Sequence, residues 1–142
     1  MSAHVSARPM LNADGARAAL AAARAKSKEL GVPVNISVCD EAGNEIAFFR
    51  PDGAALLSMG IARDKAYSVA AFNGMPTDKW YAVLDANPAL KVGLVHRERL
   101  VVFGGGVPVL VDGQVVGAVG CSGGSAEEDA IIAQAGADAV NG

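Results

Sequence analysis

Val32-Pro33-Val34-Asn35-Ile36-Ser37-Val38-Cys39 alternates without a break. Val32, Val34, Ile36 and Val38 point one way and Asn35, Ser37 and Cys39 the other, the period of a β-strand with one apolar face. Asp40-Glu41-Ala42-Gly43-Asn44 follows as a hairpin turn, and Glu45 to Arg50 is its partner strand. Pro51-Asp52-Gly53 ends that strand, because proline has no N–H for the ladder and Asp-Gly turns the chain.

Upstream, residues 1–10 read as a short arm, and one domain is expected over 11–142. Asn12 or Asp14 is placed to cap a first helix in which Ala16, Ala19, Leu20, Ala23 and Leu30 recur at helical spacing. Gly31 and Pro33 stop it. Downstream, Ala54 to Ala71 reads as a second helix that is small or apolar on nearly every side, with only Arg63, Asp64 and Lys65 charged. A helix of that kind is covered on two sides, which points to a homo-oligomer. Thr77 is placed as the N-cap of a short helix carrying Trp80, Tyr81 and Leu84, and Asn87-Pro88 is a break. Leu100–Phe103, Val107–Val111 and Val115–Cys121 read as three strands, the last two joined by the hairpin signal Asp112-Gly113. Ser125 and Glu128 form a capping box for a last helix, Ala126 to about Val140. The predicted fold is α+β: a five-stranded antiparallel sheet flanked by helices, the first and last of them on one face.

Composition sets bounds on function. The chain has 142 residues, a net charge of −3 and 51% hydrophobic residues. Its length allows burial of about two-thirds of the unfolded surface, enough to fold without a metal or disulfide. No basic run marks a nucleic-acid site. No apolar run approaches the ~20 residues of a membrane span, and the first ten residues lack the apolar core of a signal peptide, so the expected location is the cytoplasm. Cys39 and Cys121 are too few and too separated for a zinc motif. They are expected to be buried, inert thiols. His4, in the arm, and His96, read as lying just before a strand, are the only histidines, and no metal-ligand cluster is predicted.

Three stretches hold candidate site residues. In Phe103-Gly104-Gly105-Gly106-Val107-Pro108, three glycines allow close approach to the backbone, although a wide hairpin would also use them. Gly120-Cys121-Ser122-Gly123-Gly124-Ser125 opens the last helix, where Glu127, Glu128 and Asp129 disfavour a phosphate. Arg50 ends a strand just before the helix that carries Lys65; both can face one cleft, or Arg50 can pair with Asp52 or Asp64. The expected ligand-binding set is Arg50, Lys65, Thr77, Gly104, Gly105, Gly106, Pro108 and Ser122. Its ligand would be a small molecule with a carboxylate or enolate-like oxygen, held between the glycines and the second helix. Lys65→Met and Arg50→Met are expected to weaken binding while leaving the fold intact.

These stretches together resemble the GlcG/HbpS-like family, also described as a haem-degrading or PduO C-terminal domain. The matching pieces are Val38–Gly43, Phe49–Ala54, Ile61–Ser68, Phe103–Pro108, Asp112-Gly113, Val116–Ser125 and Asp129, which cover roughly residues 10 to 140. The resemblance implies a profilin- or Roadblock-like fold and a dimer-based homo-oligomer such as an octamer. It also implies binding of haem, another tetrapyrrole or a small organic ligand. Haem is the one cofactor it offers, and family members ligate it differently, through histidine in some and threonine in others. Here the first helix has no histidine, and neither His4 nor His96 is placed to reach a pocket at Gly104–Gly106. Haem is therefore expected to bind weakly, or not at all, with a defined axial ligand. The alternative reading is a cofactor-independent isomerase, hydratase or lyase of a catabolic pathway acting on a small organic acid or hydroxylated aromatic. Lys65 or Arg50 would then be the catalytic candidate. A ligand-free assembly subunit is a third.

Overall fold

A computed structural model describes residues 2–141. Helix α1 spans Ala13–Leu30, with the Asn12 side chain accepting from the Gly15 amide at 2.8 Å and Gly31 closing its C-terminus. Strands β1 (Asn35–Asp40) and β2 (Glu45–Phe49) form the first hairpin. Its turn is held by the Asp40 carboxylate, which accepts from the amides of Ala42 and Asn44 at 2.9 Å each. Helix α2 spans Ser58–Ala71. Two short helices, α3 (Trp80–Asp85) and α4 (Pro88–Gly93), lead through single helical turns and an extended segment to β3 (Gly106–Val111). Strand β4 (Gln114–Ser122) and helix α5 (Ala126–Asn141) complete the chain.

The sheet has four strands, in the order β2-β1-β4-β3, all antiparallel. Helices α1 and α5 lie together on one face, over Ile36, Val38, Val107, Val109, Val119 and Cys121. Helix α2 covers the other face, where Ala66 and Val69 meet Cys39 and Ala118. Because both faces are covered, every residue of β1 is buried. The β3–β4 turn is tight: Asp112 and Gly113 both take positive φ, 51° and 76°, the two-residue geometry that Asp-Gly favours. The last helix starts on the expected capping box, with Ser125 and Glu128 bonding each other's amides at 2.9 and 3.1 Å.

Four expectations need correction. Leu100–Phe103 is not a fifth strand. Its backbone partner is the Ser68 hydroxyl of α2, which donates to the Arg99 carbonyl and accepts from the Val101 amide, so no ladder forms. The second helix begins at Ser58 rather than Ala54; residues 54–57 form a turn that leaves Leu56 and Leu57 exposed. Asn87-Pro88 breaks the chain and also starts α4, since proline at the first helical position loses no hydrogen bond. His96 does not precede a strand; it closes the exposed helical turn Leu94–His96. Among the described residues no helix is long and apolar enough to cross a membrane, and no group of three His, Cys, Asp or Glu is placed to hold a metal.

Both cysteines are buried thiols. Burial pushes Cys39 up from 9.0 to about 12, with Asp40 adding to the shift. Burial, then the charge of Asp129, pushes Cys121 further still. Since the thiolate is the reactive form, neither should react with Ellman's reagent at pH 8 in the native state, and both should react in denaturant. Fast labelling of the folded protein would contradict this.

Candidate functional site

Lys65 projects from α2 through the sheet side of the fold and is 1% exposed. Its ammonium donates to the Asp129 carboxylate and to the Cys121 carbonyl, both at 2.9 Å. The other oxygen of Asp129 accepts from the Gly124 amide at 2.9 Å, so this carboxylate joins α2, β4 and the start of α5.

Gly105 packs against that ion pair, Gly106 against the Lys65 backbone and Thr77, and Gly104 against the Ala126 carbonyl. On the side where a side chain would stand, a Cβ at Gly105 would lie 2.5 Å from Lys65 Nζ and 2.6 Å from the Cys121 carbonyl oxygen. At Gly106 it would lie 2.6 Å from the Lys65 carbonyl oxygen and 2.9 Å from Thr77 Cγ2. Gly105 has a φ of 129°, which only glycine adopts without strain. Thr77 is not a helix cap; its hydroxyl accepts the Gly106 amide at 2.9 Å instead. Lys65, Thr77, Gly105 and Gly106 thus lie together as a filled cluster, with Gly104 beside it on Ala126. Ser122 sits nearby at the end of β4, buried and cross-strand from Asn35. Pro108 is half-buried on β3, paired with Ala118.

Arg50 is not brought to this cluster. It borders a separate cleft of about 540 Å³ between the second half of α1 and the end of β2. Arg24 and Lys28 of α1 line the same cleft, with Phe49 as an aromatic wall and Asp52 at the rim. The Arg24 guanidinium lies 4.4 Å from the Phe49 ring centre. Among the described residues, none of Arg24, Lys28 and Arg50 has an ion-pair partner. Asp64, one expected partner of Arg50, is bound by Arg99 at 2.9 Å instead. Sequence reasoning missed Arg24 and Lys28. They are four apart and therefore share one helical face, and that spacing was the available signal.

A closed glycine cluster thus lies at the centre of an α1–α5/sheet/α2 sandwich, with an open cationic cleft at its edge. The chain belongs to the HbpS-like family: the family described as haem degrading protein HbpS-like matches residues 11–138. A 15.0 kDa protein encoded between dhaT and dhaS in Citrobacter freundii is 38% identical over 117 residues, 82% of each chain. The crystal structure of Klebsiella pneumoniae ORFY superposes with a TM-score of 0.89 at 31% identity, covering 99% of this chain and 97% of that one. The crystal structure of a PduOC–haem complex superposes with a TM-score of 0.83 at 31% identity, covering 93% and 96%.

Proposed function

We propose that this protein binds a small carboxylate-bearing ligand, a tetrapyrrole or another planar organic acid, in the cleft between α1 and β2. One observation carries the reading: Arg24, Lys28 and Arg50, three cations without ion-pair partners among the described residues, converge with Phe49 on a space of about 540 Å³. That volume falls within the range of small-molecule sites, and two arginines suit carboxylates because each can bind bidentately. The haem complex of a relative 31% identical to this chain supports a tetrapyrrole.

The lining residues fit part of a haem. The cations match its propionates, and Phe49 matches its ring face. Among the described residues no histidine, cysteine, methionine or tyrosine lines the cleft, so none of them suits an iron ligand of the usual kinds there. Recognition is therefore assigned to the carboxylates and the ring. The glycine cluster with Lys65, Thr77 and Ser122 is assigned a supporting role, holding α2 and α5 to the sheet. Subunit association is part of the proposal: Leu56 and Leu57, 72% and 82% exposed just before α2, support a homo-oligomer.

Arg50→Met should weaken binding of protoporphyrin by about 1.5–3 kcal/mol, the worth of a charge-assisted hydrogen bond. Calorimetric titration beside a thermal melt checks it. Wild-type affinity in the folded variant would remove the assignment.

A further inference from the structure

The cleft between α1 and β2 carries a charge that can be counted. Among the described residues its cations are Arg24, Lys28 and Arg50 and its one acid is Asp52, a net charge of +2. All four side chains are exposed, and no ion pair joins any of them to another side chain among the described residues. Lys26, the remaining cation in the second half of α1, is bound by Glu29 at 3.1 Å and does not line the cleft. The cations stand on two walls. Arg24 and Lys28 are one turn apart on α1, and Arg50 faces them from the end of β2. Like charges gathered in this way repel one another, and an anion between the walls relieves them.

Asp52 is held at the rim by a turn. The Ala54 amide donates to the Pro51 carbonyl at 3.2 Å, and Gly53, third in that turn, has the positive φ of 87° that such a turn takes from glycine. Gly53 also faces the cleft wall, since a Cβ there would lie 3.7 Å from Pro33 Cγ. The carboxylate two residues after Arg50 is therefore a fixed part of the cleft's edge, and it is the one lining group that repels an acidic ligand.

We propose that this cleft, which is taken as the ligand site on the reading above, selects a planar ligand with two carboxylates, and that Asp52 sets that number. Two carboxylates balance the net charge of +2. A single carboxylate, even one bound bidentately by an arginine, leaves the cations of the other wall without a partner. A further carboxylate meets Asp52. Discrimination between related ligands commonly needs such a repulsive element beside the attractive ones. With asparagine at position 52 the cleft would carry +3 and would accept more acid. Because the selection counts charge and not ring atoms, it applies alike to a tetrapyrrole and to a smaller planar diacid.

Fluorescence titration with three porphyrins tests this: protoporphyrin with two carboxylates, its monomethyl ester with one, and coproporphyrin with four. The monomethyl ester should bind about tenfold more weakly than protoporphyrin, the loss of one charge-assisted contact. Added salt should weaken protoporphyrin more than the ester. Coproporphyrin should bind the wild type no more tightly than protoporphyrin does. Asp52→Asn, an exposed change that should leave circular dichroism unaltered, should raise the affinity for coproporphyrin relative to protoporphyrin about threefold, the scale of an exposed charge interaction. Protoporphyrin that does not bind would remove the reading of the cleft and this inference with it. Protoporphyrin that binds, with an equally tight monomethyl ester, a tighter coproporphyrin in the wild type, or a ratio unmoved by Asp52→Asn, would overturn this inference and leave the reading standing.

Discussion

Lys65→Met is expected to destabilise the fold by about 3–5 kcal/mol, the cost of removing one partner of a buried ion pair. Three groups depend on that ammonium. Asp129 would keep a buried negative charge, the Cys121 carbonyl would lose its side-chain donor, and the Gly105 loop would lose the group packed beneath it. A lysine that served only to hold a ligand would leave the melt unchanged, as the sequence suggested. Its burial, at 1% exposure, overturns that expectation. Lys65→Met/Asp129→Leu should recover part of the loss, since a neutral apolar pair leaves no orphaned charge. Recovery should be incomplete because Asp129 also holds the Gly124 amide. Urea denaturation of the three variants checks the order. A Lys65→Met protein as stable as wild type would contradict it.

Gly120→Ala should cost about 3 kcal/mol or more, at or above the upper end of overpacking penalties. A Cβ there would stand 2.2 Å from the Ala62 carbonyl oxygen and 2.5 Å from the Ala66 nitrogen, both backbone atoms of α2. Backbone does not yield as a side-chain tip does. The helix would have to lift off the sheet, and with it Lys65. Gly60 is the control within the same helix. Beyond its chain neighbours and its own helix backbone, no atom of the described residues lies within 4 Å of a Cβ built there, and its φ is not positive. Gly60→Ala should stabilise the protein by about 0.4–1 kcal/mol by restricting the unfolded chain. Equal effects from the two substitutions would show that α2 does not approach β4 as described.

The architecture was readable where local chemistry and tertiary packing agree. The alternation that ends in Asn35–Cys39, the Asp112-Gly113 turn and the Ser125/Glu128 box each demand one geometry, and the fold uses it, although the first strand begins at Asn35 and not at Val32. The missing fifth strand shows the limit. Leu100–Phe103 has strand-like residues, but whether an extended segment pairs with a strand or with the Ser68 hydroxyl is a tertiary matter. Thr77 is similar: a threonine at a helix start suits a cap, and only the fold shows its hydroxyl facing Gly106. The site was partly legible. Lys65, Thr77, Gly105 and Gly106 do converge, because close backbone approach needs glycines. Their sequence did not reveal that Asp129, not a ligand, balances the lysine. Arg50 was visible as a strand-terminal cation, but its neighbours Arg24 and Lys28 come from a helix that the sequence treated as a scaffold.

The central claim is that this protein recognises carboxylates on a planar ligand through Arg24, Lys28 and Arg50. Parallel titrations with hemin and metal-free protoporphyrin, followed by calorimetry and by the Soret band, test it most directly. Both porphyrins should bind with closely similar affinity, without a sharp low-spin Soret band, and Arg50→Met should weaken both alike. Tight binding of hemin alone, with a sharp low-spin Soret band that is lost in His96→Ala and kept in Arg50→Met, would contradict the claim.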